Sequence, residues 1–205
     1  MISKFLLLLL TAAFFAHLLH AQNASPTKDT NGTLSGANMY QNATLGITLK
    51  LPGSWHLREK GAAHGARESA CTGPLCGDPD VDVALDPLAG DDRQYHLFLA
   101  AWKLDAEYRN RSRYPLKWFA QIMTTGSLGG SGLVPLGALT AIQLDGHPAY
   151  RLLVGQPGAT EAGACGYVSE SNGYVFLLVG SAASSSEEPT LQTAIEQLTF
   201  AKTLH

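Results

Sequence analysis

The stretch Leu139–Ala182 decides the architecture: Leu139-Thr-Ala-Ile-Gln-Leu144, Asp145-Gly146, Tyr150-Arg-Leu-Leu-Val154, a glycine-rich break, Cys165-Gly-Tyr-Val168, Asn172-Gly173 and Tyr174-Val-Phe-Leu-Leu-Val179. Asp-Gly and Asn-Gly favour positive φ, the geometry of a two-residue hairpin turn. The flanking runs are β-branched, aromatic or leucine, so each turn joins two antiparallel strands and the stretch reads as a four-strand meander. Tyr174, Phe176 and Leu178 share one face of the last strand, and Val175, Leu177 and Val179 the other. Both faces are apolar, which predicts a central strand covered on both sides. Arg151 interrupts one face of the strand 150–154, so that strand sits nearer an edge or has one face partly wet.

Working outward, Tyr40 to Gly46 and Ile47 to Leu51 read as a strand, a turn and an alternating strand that Pro52 ends, with Trp55 plugging the core beyond it. Val81–Leu85 resumes strand alternation. Tyr95–Leu104 is a second long apolar run, with Phe98 and Trp102 on one face and Leu97 and Leu99 on the other. Pro115–Thr125 predicts a helix, with Pro115 in the first turn, Leu116, Phe119, Ile122 and Met123 at helical spacing, and Gly126 as the stop. A second helix is expected over Pro189–Leu198, with Leu191, Ala194, Ile195 and Leu198 as its apolar stripe.

The chain of 205 residues suffices for one substantial core. Its 45% hydrophobic and 15% charged content is that of a globular protein. The net charge is −3, and no basic stripe with interleaved aromatics is read along the chain. Nucleic acid and anionic membrane surfaces are therefore not expected partners. Met1–Lys4 is a short basic region, Phe5–Leu19 is apolar, and Ala21 precedes Gln22, the pattern of a secretory signal peptide. The expected organisation is a signal peptide at 1–21, a flexible linker at 22–38 and one domain at 39–205. The mature protein is expected to be secreted or periplasmic, not inserted in the membrane, and in an oxidising compartment. The sequence sets no oligomeric state.

Together Tyr40, Asn42, Gly46, Pro52, Trp55, the Gly146 and Asn172-Gly173 hairpins and a last helix ending at Phe200 resemble the PsbP-like family, the Mog/PsbP fold. That family is known from photosystem accessory subunits, a Ran-binding protein and bacterial envelope proteins. The resemblance spans Met39–Phe200 and lies in element order rather than in a diagnostic motif. It implies an α+β fold in which helices cover both faces of a central antiparallel sheet. It also implies binding or accessory roles rather than catalysis, an inference by analogy. No residue here matches the metal-associated positions of the photosystem members.

Candidate sites are few. Asp78, Asp80 and Asp82 suggest a calcium loop, but Val83 and Ala89 stand where an EF-hand needs Gly and Glu. An acidic solvated edge is the plainer reading. His64, Cys71, Cys76 and Cys165 lack the paired spacing of structural zinc sites. Gly129-Gly-Ser131-Gly has Leu133 where a nucleophile elbow requires Gly. No cofactor motif is present, and His96 and His147 need no role. Sequon patterns begin at Asn23, Asn31, Asn42 and Asn110.

Cys71 and Cys76 enclose Gly73-Pro74, a turn that would bring them within bridging distance, leaving Cys165 as a buried, unpaired thiol. The rival pairing, Cys165 with either loop cysteine, would staple the loop to the sheet. The long polar loop 58–80 is the expected recognition element, with His64, Arg67 and Glu68 in it. Tyr114 and Trp118 offer an aromatic patch beside the helix, or else core packing. The function expected is a non-catalytic binding or accessory module with an envelope or extracellular protein partner. The alternative is an envelope hydrolase or thiol-dependent enzyme whose site assembles only in space.

Overall fold

The computed structural model describes residues 30–36, 38–58, 75, 78–88, 95–126, 134–159, 162–182 and 188–201. Both hairpin turns form as their sequences require: φ is positive at Asp145 (48°) and Gly146 (78°), and at Asn172 (50°) and Gly173 (80°). They join the strands β8 (Thr140–Leu144) to β9 (His147–Gly155), and β10 (Ala164–Ser171) to β11 (Tyr174–Ala182). β9 and β10 also pair, so the meander is continuous and antiparallel. On the far side of β11 lie β6 (Tyr95–Lys103), β5 (Val81–Pro87) and β4 (Trp55–Arg58). β7 (Val134–Pro135) lies beside β9 on the same flank as β8. The sheet order is β4-β5-β6-β11-β10-β9, then β7 and β8.

β11 is central. It pairs over its length with β6 and β10. Val175 and Leu177 on one face, and Phe176 and Leu178 on the other, are all buried. Burial on both faces follows from the unbroken apolar run, since a strand with one wet face would alternate with polar residues. The helix α1 (Leu116–Gly126) lays Leu116, Phe119, Ala120 and Met123 on Val168, Val175, Leu177, Ala100 and Trp102. Leu75 from the loop before β5 joins that cluster.

Helices on both faces are not what the chain builds. Among the described residues its regular structure is mostly strand, and the face opposite α1 is covered chiefly by a second sheet of order β1-β2-β3-β12. Its strands are β1 (Thr33–Ser35), β2 (Met39–Asn42), β3 (Ile47–Lys50) and β12 (Thr199–Phe200). Ile47 and Leu49 are buried and Lys50 is exposed, so this alternating segment brings its own apolar face and packs it against Phe176 and Leu178. The short helix α2 (Glu188–Glu196) bridges β11 and β3. An ideal Cβ on Gly180 would stand 2.7 Å from Ile195 and 2.9 Å from Leu191, so glycine sets how closely α2 approaches β11.

The linker expected at 22–38 gives way earlier than its polar composition suggests. β1 lies within it and pairs with β2, and Thr30 and Asn31 bind across the fold. Short polar residues here act as hydrogen-bond partners rather than as solvated coil. The Asn42 side chain receives the Leu45 N–H at 2.9 Å and donates to Thr30 O (2.9 Å) and the Tyr40 hydroxyl (3.0 Å). Gly46 (φ 64°) lies under Asn172, whose amide donates to Thr44 O at 3.2 Å, locking the β10–β11 hairpin tip to the second sheet. Trp55 is buried, stacks parallel to Tyr95 at 6.2 Å and donates its indole N–H to Pro52 O at 2.7 Å.

Candidate interaction surface

Between β6 and α1 the chain makes a run of turns over 105–114. They are pinned to the β10–β11 hairpin, because Leu104 N–H donates to Gly173 O at 2.9 Å and Arg109 Nε to Leu104 O at 2.8 Å. Glycine at 173 leaves room for the Arg109 guanidinium, which lies 3.6 Å from where a Cβ would stand. Arg111 fastens the turns from beneath: its guanidinium donates to Tyr108 O (3.0 Å), pairs with Glu170 and sits 5.4 Å over the Phe119 ring.

This frame gathers three aromatic side chains. Tyr114 lies 4.8 Å from Tyr108 and 5.0 Å from Trp118, both tilted, and Trp118 meets Phe119 edge-on at 5.0 Å. Such offset and edge contacts suit the ring quadrupoles. Tyr108, Tyr114 and Trp118 are half-buried, their inner edges on the α1-side core and their outer edges towards solvent. Tyr114 and Trp118 are therefore core packing and surface at once. Around them Glu107, Arg109, Arg113 and Lys117 are exposed. Arg113 lies 5.2 Å over the Tyr114 ring and 3.5 Å from Glu107, which also accepts the Tyr114 hydroxyl at 3.1 Å. Desolvation and then that hydrogen bond raise the Tyr114 phenol above its ordinary pKa.

The other sequence candidates fall elsewhere. His64, Arg67, Glu68, Cys71 and Cys76, the Gly129–Gly132 loop and the leader lie outside the described residues. Of the acidic residues, Asp78 and Asp80 are exposed, Asp80 accepting the Lys103 N–H at 2.8 Å, whereas Asp82 is 9% exposed within β5, so the three do not share one solvated face. Among the described residues no group of three His, Cys, Asp or Glu is placed to hold a metal ion. Of the sequon asparagines, Asn42 is buried, and Asn31 spends its side-chain oxygen on the Asp82 N–H at 3.0 Å. Asn110 is exposed on the turns themselves.

Cys165 is fully buried. It neighbours Tyr167, whose hydroxyl donates to Glu196 at 3.2 Å; Arg151 and Gln192 meet the same oxygen at 3.1 Å each. Burial, then the thiol and Glu196, push the Tyr167 phenol far above its ordinary pKa. This network ties α2 to the sheet and gives a thiol reagent no access to the sulfur. On the β4–β6 flank, Asp86 is chelated by Arg58 (2.7 and 3.1 Å) and bonded by His96 at 2.8 Å, an ion-pair cluster that fastens three strands.

Sequence reasoning missed Glu107, Tyr108, Arg109, Arg111 and Arg113 as a unit. The signal was present in Tyr108-Arg-Asn-Arg-Ser-Arg-Tyr114, but a charge balance taken over the whole chain hides it. Five cations and two carboxylates stand in the stretch from Lys103 to Trp118, Lys103 included, in a chain of net charge −3.

No family model matches the chain, and no curated protein matches it. Among solved structures, cyanobacterial PsbP from Synechocystis is similar at a TM-score of 0.51 and 14% identity, covering 82% of this chain and 94% of that one. LpqN of Mycobacterium tuberculosis, described as involved in cell envelope biogenesis, is similar at a TM-score of 0.41 and 19% identity over 76% of this chain and 83% of its own. The likeness to cyanobacterial PsbP shows the fold: the chain is PsbP-like in architecture.

Proposed function

We propose that this chain is an extracytoplasmic, non-catalytic accessory protein that docks a protein of the cell envelope through the surface at 105–118. The observation that carries the proposal is the cluster of Tyr108, Tyr114 and Trp118, half-buried on a rigid sheet and rimmed by Arg109, Arg113 and Lys117. Tyr, Trp and Arg are the residues that dominate protein–protein hot spots. Rings already held by packing lose little conformational freedom on binding. The mixed signs favour a protein over a polyanion, since Glu107 stands among the cations and Arg111 is committed to Glu170. The leader at 1–21 supports the compartment.

Affinity capture from the protein's own envelope extract tests it, using the wild-type chain and an Arg113→Glu, Lys117→Glu variant. Both positions are exposed, so the variant should fold normally. A partner retained by the wild type and lost at least tenfold by the variant is the expected result. Equal retention by both moves the docking surface elsewhere.

A further inference from the structure

The outer flank of the large sheet ends in β8, Thr140–Leu144, and among the described residues no other strand pairs with it beyond β9. Its backbone directions follow from the turn. Asp145-Gly146 is a two-residue turn with positive φ at both positions, and the pair flanking such a turn, Leu144 and His147, exchanges both ladder bonds. Alternation then makes Ile142↔Ala149 and Thr140↔Arg151 bonded pairs, and leaves Ala141↔Tyr150 and Gln143↔Pro148 non-bonded. Pro148 agrees: it has no N–H to give β8, and its carbonyl is turned the other way, accepting the Ser169 hydroxyl at 2.8 Å. The N–H and C=O groups of Ala141 and Gln143 therefore point out of the sheet.

Edges of this kind are ordinarily blunted by lysine, inward charge, proline or a bulge. Leu139–Leu144 contains no charged residue and no proline. Thr140, Ala141 and Gln143 are exposed, while Ile142 is half-buried at the rim of the core between the two sheets. Ala141 and Gln143 stand symmetrically about Ile142. We propose that β8 is a self-association edge: two copies pair their β8 strands antiparallel about a twofold axis at Ile142, making one sheet across the dimer.

In that register Ala141 meets Gln143 of the second copy and Gln143 meets its Ala141, closing four ladder hydrogen bonds. Thr140 meets Leu144, and Ile142 meets its own copy on the face where both sheets' core is incomplete. The second copy is favoured as occupant because the strand is complementary to itself. Its two outward residues fall into bonded register together, and no charge is set against its like. A five-residue strand buries less than the roughly 1,000 Å² expected of a permanent interface, so the dimer should dissociate on dilution.

Sedimentation equilibrium of the mature chain over a wide concentration range tests the proposal. The wild type should pass from monomer to dimer. Ile142→Lys, which puts like charges on the axis at a half-exposed rim position, should stay monomeric at every concentration while keeping the wild-type circular dichroism spectrum and a cooperative unfolding transition. Ile142→Cys should form a 142–142 disulfide on oxidation, identified by non-reducing peptide mapping, because a non-bonded antiparallel pair sets Cα atoms about 4.5 Å apart, within bridging range. Cysteine at the remote exposed position Thr190 should not. A wild type that is monomeric throughout, a dimer that survives Ile142→Lys, or equal crosslinking through position 190 would each overturn the proposal.

Discussion

Phe176 is 0% exposed, and its ring meets Phe200 of the second sheet at 6.3 Å. Phe176→Ala should cost about 3–5 kcal/mol, since the cavity lies between two sheets that cannot both collapse into it. Urea unfolding checks this, and a loss below about 1 kcal/mol would remove β11 from the centre of the fold. Tyr167 sets a pH dependence. Its phenol is held neutral in the folded state, whereas the unfolded chain ionises tyrosine at about pH 10. A folded pKa raised above the unfolded value gives stability that is present below pH ~10 and lost as pH rises beyond it. Tyr167→Phe should give up the Glu196 hydrogen bond at neutral pH yet flatten the alkaline loss; melting curves from pH 8 to about pH 11 compare the two. The burial of Phe176 was legible in the alternation of one strand. That of Tyr167 was not, because its partner Glu196 lies on α2 and only the fold brings them together.

Elements were legible where local chemistry dictates them. The Asp145-Gly146 and Asn172-Gly173 turns, the two long apolar strands and α1 all follow from turn residues or periodicity. What the sequence could not assign was sheet membership. β2 and β3 alternate as any half-buried strand does, and nothing local tells whether they join the central sheet or face it. β1 was hidden because its support is distant: Tyr40 Oη and the Asp82 N–H bond Asn31, and the Asn42 amide bonds Thr30. A chain begun at Thr30 and one begun at Met39 should therefore differ in their urea midpoints. One begun at Met39 should lose about 2–4 kcal/mol, at about 1 kcal/mol for each lost bond. Gly180→Val should cost about 1–3 kcal/mol by forcing α2 off β11, read from unfolding curves and from loss of α2 amide protection.

At the scale of the whole molecule, one PsbP-like scaffold carries two different edges of chemistry. The hairpin end bears the aromatic and arginine surface, pinned through Leu104, Arg109 and Gly173, and on the other flank no described strand pairs with β8 beyond β9. The aromatic half of the surface was legible as Tyr114 and Trp118. The arginines were not, because whether a guanidinium is committed beneath, as Arg111 is, or exposed, as Arg113 is, depends on Glu170 and Phe119 from other elements. Cys165, fully buried in β10, should resist thiol reagents until the fold opens. Site-specific photo-crosslinking in the native envelope is the most direct test of the accessory-protein reading. A photoreactive side chain at Lys117 should trap one partner protein, competed away by unlabelled wild-type chain, while the same group at Thr190 traps none. Equal labelling at both positions, or none at Lys117, would contradict it.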